Sequence, residues 1–340
     1  MSDKVKQLAP EIWAEIQKAN KILLHLHRGP DPDSAGSALA MMHLLKSLGK
    51  SVMVIAGDSP LSPSMSAIPG YDQIISKNYF QIEPKDFDLF LILDSSSLSQ
   101  ISREKEIIFP ENLRTVKIDH HQNDADFANI NLVDTSYCAT AQLIYDLMTA
   151  WEVKISPEMA ACLFAGIYSD TGGFKYPPTN WETLLAGSNL IKIYPDYFRM
   201  IFEWENSRTP KQLEFLGLAL SSIEHYFSNK VAISFISYEE LQKHGISKED
   251  TKNVELPNLL KSVTGWIIGI SAIETTQENM EISLRKREYE GSDLSKLAIA
   301  LGGGGHQAAA GGTIKMPFAE AKKFLLEKIQ EVYPDLRQGN

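Results

Sequence analysis

Cysteine is scarce in this sequence of 340 residues: Cys138 and Cys162 are the only two, and each lies alone in an apolar helical stretch. Two isolated cysteines exclude a disulfide framework and a metal site built on paired cysteines, which favours a reducing, cytoplasmic location. Long apolar runs are also missing, so no segment reaches the length that a membrane-spanning helix needs. The charged N-terminal segment 1–20 predicts an amphipathic helix and not a signal peptide.

Basic residues are also outnumbered by acidic ones: the sequence has 33 Lys and Arg residues and 43 Asp and Glu residues, which gives a net charge of −10. This balance argues against a protein that binds duplex DNA, which usually carries a basic face. It does not exclude phosphate substrates, because bound metal ions can supply positive charge locally. With 44% apolar and 22% charged residues, the composition is that of a globular protein, and the length predicts two domains.

The first half of the chain alternates short apolar segments with helical ones. Predicted strands cover residues 21–27, 51–56, 88–93 and 115–118, and predicted helices cover residues 35–48, 139–151 and 157–168. This alternation predicts an α/β domain with a mainly parallel sheet that is covered by helices.

A mainly helical stretch runs from about Trp181 to Tyr226, and the pattern then changes. The remaining segments indicate a smaller α/β domain with a mixed sheet, with strands predicted at 230–237, 264–275 and 280–285 and helices at 294–301 and 318–332. We therefore divide the chain into a domain at 1–204, a helical linker at 205–229 and a second domain at 230–340.

Charged side chains cluster where the first predicted strand ends. His27, Asp31 and Asp33 follow this strand and precede a helix. In open α/β sheets, ligands bind beyond the carboxyl ends of the strands, so these groups can share one site. A turn in which Asp33 or Ser34 caps the helix is the alternative explanation.

Two further strand ends carry the same residue types. Asp94 follows the third predicted strand, and Asp119, His120 and His121 follow the fourth. Asp94 could serve only as a helix cap, whereas two adjacent histidines behind an aspartate are hard to explain by core packing. The three strand ends together predict one site of mixed carboxylate and imidazole groups.

Asp170 ends an apolar helix, where the macrodipole disfavours a carboxylate, so either a cation compensates it or it lies in a solvated turn. If it joins Asp31, Asp33 and Asp94, the four carboxylates repel one another by about 4 kcal/mol per pair. Two divalent cations would balance them. Carboxylates and imidazoles without thiolates favour Mn²⁺, with Mg²⁺ or Co²⁺ as alternatives. Two such ions are typical of phosphate-ester hydrolysis.

The C-terminal part carries a glycine-rich segment, from Gly302 to Gly312, that includes His306. Backbone N–H groups in such a segment can approach an anion closely, and His306 would add a donor; a flexible loop is the alternative. Arg285, on the preceding predicted strand, either binds a phosphate through two parallel hydrogen bonds or is a charged side chain exposed to solvent. This segment predicts a second, separate place for an anionic ligand.

In this order, the four N-terminal motifs and the glycine-rich segment resemble the DHH phosphoesterase superfamily, whose namesake triplet stands here as Asp119-His120-His121. The resemblance covers roughly residues 20–335 and is closest to the short, two-domain members of the oligoribonuclease and pAp-phosphatase type. It implies that residues 1–204 form the catalytic domain and that residues 230–340 form the associated substrate-binding domain.

The resemblance also implies roles for individual side chains. One metal ion would be held by His27, Asp31 and Asp94, and the other by Asp33, Asp94, His120 and Asp170. His121 would then face the scissile phosphate, and Asp119 would orient the histidines. The substrate would be gripped by Arg103, Arg285, Gly303, Gly304, Gly305 and His306.

Pro32 departs from the family pattern, because glycine usually separates the two aspartates of the first motif. Proline fixes φ near −65°. We therefore expect a local adjustment of this loop and not the loss of the site, since all six ligand positions are intact.

The implied activity is metal-dependent hydrolysis of short oligoribonucleotides, of 3′-phosphoadenosine 5′-phosphate (pAp), or of both, with two divalent ions, Mn²⁺ above all. One alternative keeps this chemistry but acts on linear or cyclic dinucleotides or on polyphosphate. Another is an inactive nucleic-acid-binding protein with the same fold. We expect neither duplex DNA nor a membrane as a partner, and a homodimer is compatible with the sequence.

Overall fold

The computed structural model describes residues 1–122, 126–252, 254, 256–287, 292–305 and 307–337. The chain folds as two compact units, Met1–Ser207 and Arg208–Asn340. Within the described ranges, no helix is long and apolar enough to cross a membrane.

The N-terminal unit is built on a five-stranded sheet in which all neighbouring strands are parallel. Its strands are β1 (Lys21–His25), β2 (Ser51–Ile55), β3 (Leu89–Leu93), β4 (Arg114–Asp119) and β5 (Ile130–Val133). The expected parallel sheet is confirmed, and β5 adds a short edge strand that the sequence analysis did not predict. The order β2-β1-β3-β4-β5 reverses direction between β1 and β3, the place where ligands bind in such sheets.

Helices cover this sheet, and β3 is buried along its whole length. The helices are α1 (Asp3–Lys18), α2 (Pro32–Ser47), α3 (Leu98–Ile101), α4 (Thr140–Ala150), α5 (Pro157–Asp170), α6 (Trp181–Ile193) and α7 (Tyr197–Glu205). Strands buried on both faces need nearly continuous apolar sequence, which explains the run LFLIL in β3. Because the strands themselves are buried, the polar residues at their ends are the ones that can contact a ligand.

The C-terminal unit contains a mixed sheet, as expected, but it has six strands where the sequence analysis predicted three. Its strands are β6 (Ile223–Tyr226), β7 (Val231–Ile236), β8 (Ile268–Thr276), β9 (Asn279–Lys286), β10 (Gly304–Gly305) and β11 (Ala309–Ile314). Their order is β10-β11-β9-β8-β7-β6, and only β7 and β8 pair in parallel. Its helices are α8 (Pro210–Ser221), α9 (Tyr238–Lys243), α10 (Leu256–Lys261), α11 (Leu294–Ala300) and α12 (Phe318–Val332).

The helical stretch expected up to Tyr226 ends at Ser221, because residues 223–226 form β6. This strand pairs antiparallel with β7, and the turn between them has positive φ at Phe227, Ser228 and Asn229. Cross-strand pairing at the edge of the sheet thus overrides the local helical pattern. The segment 205–229, predicted to be a linker, contains both α8 and β6.

Candidate metal centre and active site

The first motif forms the start of α2. Asp31 is the N-cap residue, and its Oδ1 accepts hydrogen bonds from the backbone N–H groups of Asp33 and Ser34, both at 3.0 Å. Pro32 occupies the first turn of the helix, where a proline is favourable because no backbone donor is needed there. The substitution of proline for glycine is therefore accommodated by a helix that begins directly after Asp31.

Asp94 lies at the centre of the cluster, directly after β3, and its side chain is 1% exposed. Its Oδ2 is 3.3 Å from Nε2 of His27, and its Oδ1 is 3.6 Å from Nε2 of His120. The residue has a φ of 54°, in the left-handed region that few residues other than glycine, asparagine and aspartate adopt, and such conformations are concentrated at functional sites. Asp94 does not cap α3, whose N-cap is Ser97. The two carboxylate oxygens thus face two different histidines.

His120 turns one ring nitrogen towards three carboxylates. Its Nε2 is 3.2 Å from Asp170 Oδ2, 3.6 Å from Asp94 Oδ1 and 4.0 Å from Asp33 Oδ2. The other nitrogen, Nδ1, lies 3.4 Å from the carbonyl oxygen of Tyr137, which fixes the ring. Nε2 is buried and makes no hydrogen bond to any residue that the structure describes. A buried nitrogen in this position is suited to a metal ion.

Asp119 holds the second histidine. Its Oδ1 accepts hydrogen bonds from the backbone N–H of His121, at 3.1 Å, and from the Nδ1 of that residue, at 2.9 Å. Its Oδ2 is 3.5 Å from Nζ of Lys117, and neither side chain of this ion pair is exposed. Lys117 also donates to the carbonyl oxygen of Ser96 at 3.2 Å. This lysine therefore joins the loop after β3 to the end of β4, a link that the sequence analysis missed.

Asp33 and Asp170 complete the cluster from two helices. Asp170 is the last residue of α5. Asp33 accepts hydrogen bonds from two backbone N–H groups at the start of α4, those of Thr140 at 2.7 Å and of Ala141 at 2.9 Å. A Cβ atom at Gly166 would lie 2.5 Å from Oδ1 of Asp33, so only glycine leaves room for the carboxylate. The helices α2, α4 and α5 thus bring their charged groups to the same edge as the strand ends.

The electrostatics of the cluster show an excess of negative charge. Burial would lower the pKa of His27, but its contacts with Asp31 and Asp94 outweigh burial and raise that pKa to about 11. Burial would also lower the pKa of His120, but the surrounding carboxylates outweigh it and raise that pKa to about 10. Burial raises the pKa of Asp170 to about 6, with Asp31 and Asp94 adding to the shift. Groups in such a cluster hold protons unless cations replace them.

The donor atoms form three sets that fit divalent metal ions. In each set the atoms lie within 4.8 Å of one another: His27, Asp31 and Asp94; Asp94, His120 and His121; and Asp33, His120 and Asp170. Asp94 and His120 each belong to two sets, so the sets adjoin. Carboxylate oxygens and imidazole nitrogens without thiolates suit Mn²⁺ or similar ions, and the position of His120 Nε2 among three carboxylates is consistent with such a ligand.

Three of the residues predicted to bind the substrate have other contacts or lie outside the described residues. Arg103 lies in an exposed turn, where its backbone N–H donates to Oδ2 of Asp58 at 2.8 Å. Arg285 lies on β9 of the C-terminal unit, and its Nη1 donates to the carbonyl oxygen of Leu284 at 2.9 Å. His306 lies outside the described residues. The roles of these three residues remain predictions.

The glycine-rich segment contains strands and is not only a loop. Gly304 and Gly305 pair antiparallel with Gly311 and Ala310. A Cβ atom at Gly303 would overlap the carbonyl oxygen of Gly311, so two backbones approach closely there, whereas a Cβ at Gly304 would meet nothing within 4 Å. Close backbone packing accounts for part of the glycine content, and the exposed backbone at Gly304 is compatible with an anion.

Sequence comparison finds a family model that matches the N-terminal unit. The family model described as DHH family, N-terminal domain, matches residues 21–167, which include the strand ends and all proposed ligands except Asp170. Residues 21–167 thus resemble the N-terminal domain of the DHH family, and this similarity and the NrnA relatives support a phosphoric ester hydrolase. Phosphoesterases of this family depend on metal ions, in agreement with the donor sets described above.

Individual relatives match almost the entire chain. The bifunctional oligoribonuclease and PAP phosphatase NrnA of Thermus thermophilus is 27% identical over 331 residues, which cover 95% of each chain. The protein of the same name from Bacillus subtilis is 28% identical over 315 residues, which cover 89% of this chain and 92% of the relative. A crystal structure of an exopolyphosphatase-related protein from Bacteroides fragilis is 27% identical and superposes with a TM-score of 0.88, covering 98% of both chains.

Proposed function

We propose that this phosphoesterase hydrolyses short oligoribonucleotides and pAp with two divalent metal ions, preferably Mn²⁺. The observation that carries the proposal is the similarity to the NrnA relatives over at least 89% of this chain, which includes both units and not only the catalytic one. The ligand cluster supports the chemistry, because the two oxygens of Asp94 face different histidines and suit a residue that bridges two ions.

The proposed ligands divide between the two ions. His27, Asp31 and Asp94 would hold one ion, and Asp33, Asp94, His120 and Asp170 the other. The rings of His27 and His120 turn Nδ1 towards backbone carbonyl oxygens, at 3.2 and 3.4 Å, and thus direct Nε2 to the site. Two bound ions would lower the pKa of a water molecule and stabilise negative charge on the phosphate.

His121 is the proposed catalytic residue beside the ions. Its Nδ1 donates to Asp119, whose second oxygen is paired with Lys117. The other ring nitrogen, Nε2, is the atom that we assign to the phosphate, either as a donor to a phosphoryl oxygen or as the source of a proton for the leaving oxygen. Because both ring nitrogens would then donate, the ring would be doubly protonated, and Asp119 would hold it in this orientation and stabilise its positive charge.

The remaining part of the substrate would be bound by other groups. We assign this role to Arg103, to Arg285 and to Gly303, Gly304, Gly305 and His306 of the glycine-rich segment. Arginine suits this task because its guanidinium group can donate two parallel hydrogen bonds to a phosphate.

Polyphosphate is a second candidate substrate. The Bacteroides fragilis protein, which superposes with a TM-score of 0.88, is described as related to exopolyphosphatases. Polyphosphate, oligoribonucleotides and pAp all contain a P–O bond that two metal ions can activate for hydrolysis, so the proposed metal centre is compatible with either function.

A single hydrolysis panel distinguishes these functions. We would incubate the protein with Mn²⁺ and pAp, labelled RNA of two to 24 nucleotides, linear dinucleotides or polyphosphate, with the Asp94→Ala variant as the inactive control. We expect Mn²⁺-dependent cleavage of pAp and of the shortest RNAs. Cleavage of polyphosphate alone would support the second candidate, and RNA binding without cleavage of any substrate would indicate an inactive nucleic-acid-binding protein.

A further inference from the structure

Thr140 contacts two of the proposed metal ligands at once. It is the first residue of α4 and is fully buried. Its backbone N–H donates to Oδ2 of Asp33 at 2.7 Å, and its hydroxyl group donates to Oδ1 of Asp94 at 3.0 Å. No other residue in the described parts of the chain has recorded hydrogen bonds to both carboxylates. The position is therefore suited to controlling how the two aspartates lie relative to each other.

The local structure at the start of α4 explains why Thr140 can form hydrogen bonds to both aspartates. The N-cap residue is Ala139, whose side chain cannot accept a hydrogen bond, so the first N–H groups of the helix lack a local partner. Asp33 of α2 accepts from two of them, although it lies 107 residues away from Thr140 in the sequence. The hydroxyl group of Thr140 is not used within its own helix and reaches across to Asp94.

Asp94 is the ligand that most needs such support. Its backbone is held at a φ of 54°, and its carboxylate is buried, so a small rotation would turn an oxygen away from one of the two histidines. The hydrogen bond from Thr140 occupies one lone pair of Oδ1 while Oδ2 faces His27. Removing this donor would leave the Asp94 carboxylate oriented by the three histidines around it, two of which are proposed metal ligands.

We propose that Thr140 is a positioning residue, which fixes Asp33 and Asp94 so that both present oxygens to the metal ions. This inference rests on the proposed two-metal centre. It deepens that proposal by assigning the alignment of both ligands to a residue that binds neither metal nor substrate.

The test compares Thr140→Val, which keeps the backbone N–H and nearly the same volume, with Thr140→Ser, which keeps the hydroxyl group. Thr115→Val is the matched control, since Thr115 is also buried in the N-terminal unit but donates to Oδ1 of Asn129 at 2.9 Å. Free Mn²⁺ is measured by electron paramagnetic resonance during a titration of each protein. We expect Thr140→Val to weaken Mn²⁺ binding by about 10–100-fold, while the other two variants stay close to the wild type.

Two further measurements separate positioning from a purely structural role. The Mn²⁺ concentration for half-maximal hydrolysis should rise in Thr140→Val by the same factor as the dissociation constant, and kcat should largely recover at saturating Mn²⁺. Thermal unfolding without metal should change to a similar extent in Thr140→Val and Thr115→Val. If Thr140→Val does not fold, Thr140→Ala takes its place in the same titration.

The outcomes distinguish this inference from the metal centre itself. Wild-type affinity for Mn²⁺ in Thr140→Val would overturn the role of Thr140 and leave the metal centre intact. A wild-type protein that binds no Mn²⁺ in the titration would overturn the two-metal centre, and this inference with it.

Discussion

The two units carry their predicted functional residues in different ways. In the N-terminal unit these residues are charged side chains beyond the ends of the parallel strands β1, β3 and β4, and carboxylates surround His120 at 3.2 to 4.0 Å. In the C-terminal unit they include the backbone of glycines in antiparallel strands. Parallel strands bring all their carboxyl ends to one edge, whereas antiparallel strands place successive ends on opposite edges. Chain order therefore predicts a side-chain cluster in the first unit but not in the second.

The largest expected effect belongs to the first unit. Asp94→Ala should abolish hydrolysis and remove more than one metal ion per chain, because its two oxygens face two different histidines. Asp31→Ala should remove chiefly one ion. Metal content is measured by mass spectrometry after removal of free Mn²⁺, with the exposed Asp72→Ala as control. If Asp94→Ala retains both ions, the bridging assignment is wrong.

A smaller loss of activity is expected for a change at Asp119, which contacts His121 and is not itself a proposed metal ligand. Asp119→Asn should fold but lose about 10–100-fold in activity or metal affinity, because the amide cannot hold His121 and balance Lys117 as the carboxylate does. Hydrolysis kinetics and Mn²⁺ titration measure the two losses separately. A loss as complete as that of Asp94→Ala would make Asp119 a metal ligand.

A change in the C-terminal unit should spare the metal centre. Arg285→Ala should raise KM for oligonucleotides about 10-fold, which is typical for the loss of a hydrogen bond to a charged group. His306→Ala should act in the same direction, and both variants should bind Mn²⁺ normally and cleave small chromogenic diesters with little change. Arg287→Ala is the control, because its Nη1 donates to the carbonyl oxygen of Ser262. Unchanged oligonucleotide kinetics in both variants would leave this unit without its proposed role.

The smallest expected effect concerns substrate length. With a net charge of −10, the chain has no evident basic track for many phosphates. If two or three phosphates are bound, the slope of log K against log salt should be about −1.5 to −2. RNAs of two to five nucleotides should then show a higher kcat/KM than 24-mers at two salt concentrations. A kcat/KM that keeps rising beyond ten nucleotides, with a steep salt slope, would indicate a groove for long strands.

The parallel sheet and the metal cluster could be predicted because both depend on short-range patterns. Strand ends carrying Asp94 and Asp119 are visible as apolar runs followed by charge, and parallel pairing then makes their convergence a geometric necessity. Four strands were missed, β5, β6, β10 and β11. The edge strands β5 and β6 are each four residues long and are held by pairing with a neighbour, which local sequence does not reveal, and β10 and β11 lie in or next to the glycine-rich segment. Lys117 was detectable, since a lysine between Val116 and Ile118 is unusual in a parallel sheet that is covered on both faces.

The sequence by itself determined the type of sheet, the residues that gather at its edge and the charge imbalance that calls for cations. Only the tertiary structure decided how these groups are held. Thr140 reaches Asp94 across 46 residues, and Gly166 leaves space for the carboxylate of Asp33 on a different helix. Such contacts join segments that are distant along the chain, so their distances and directions depend on how the helices pack and not on any local pattern.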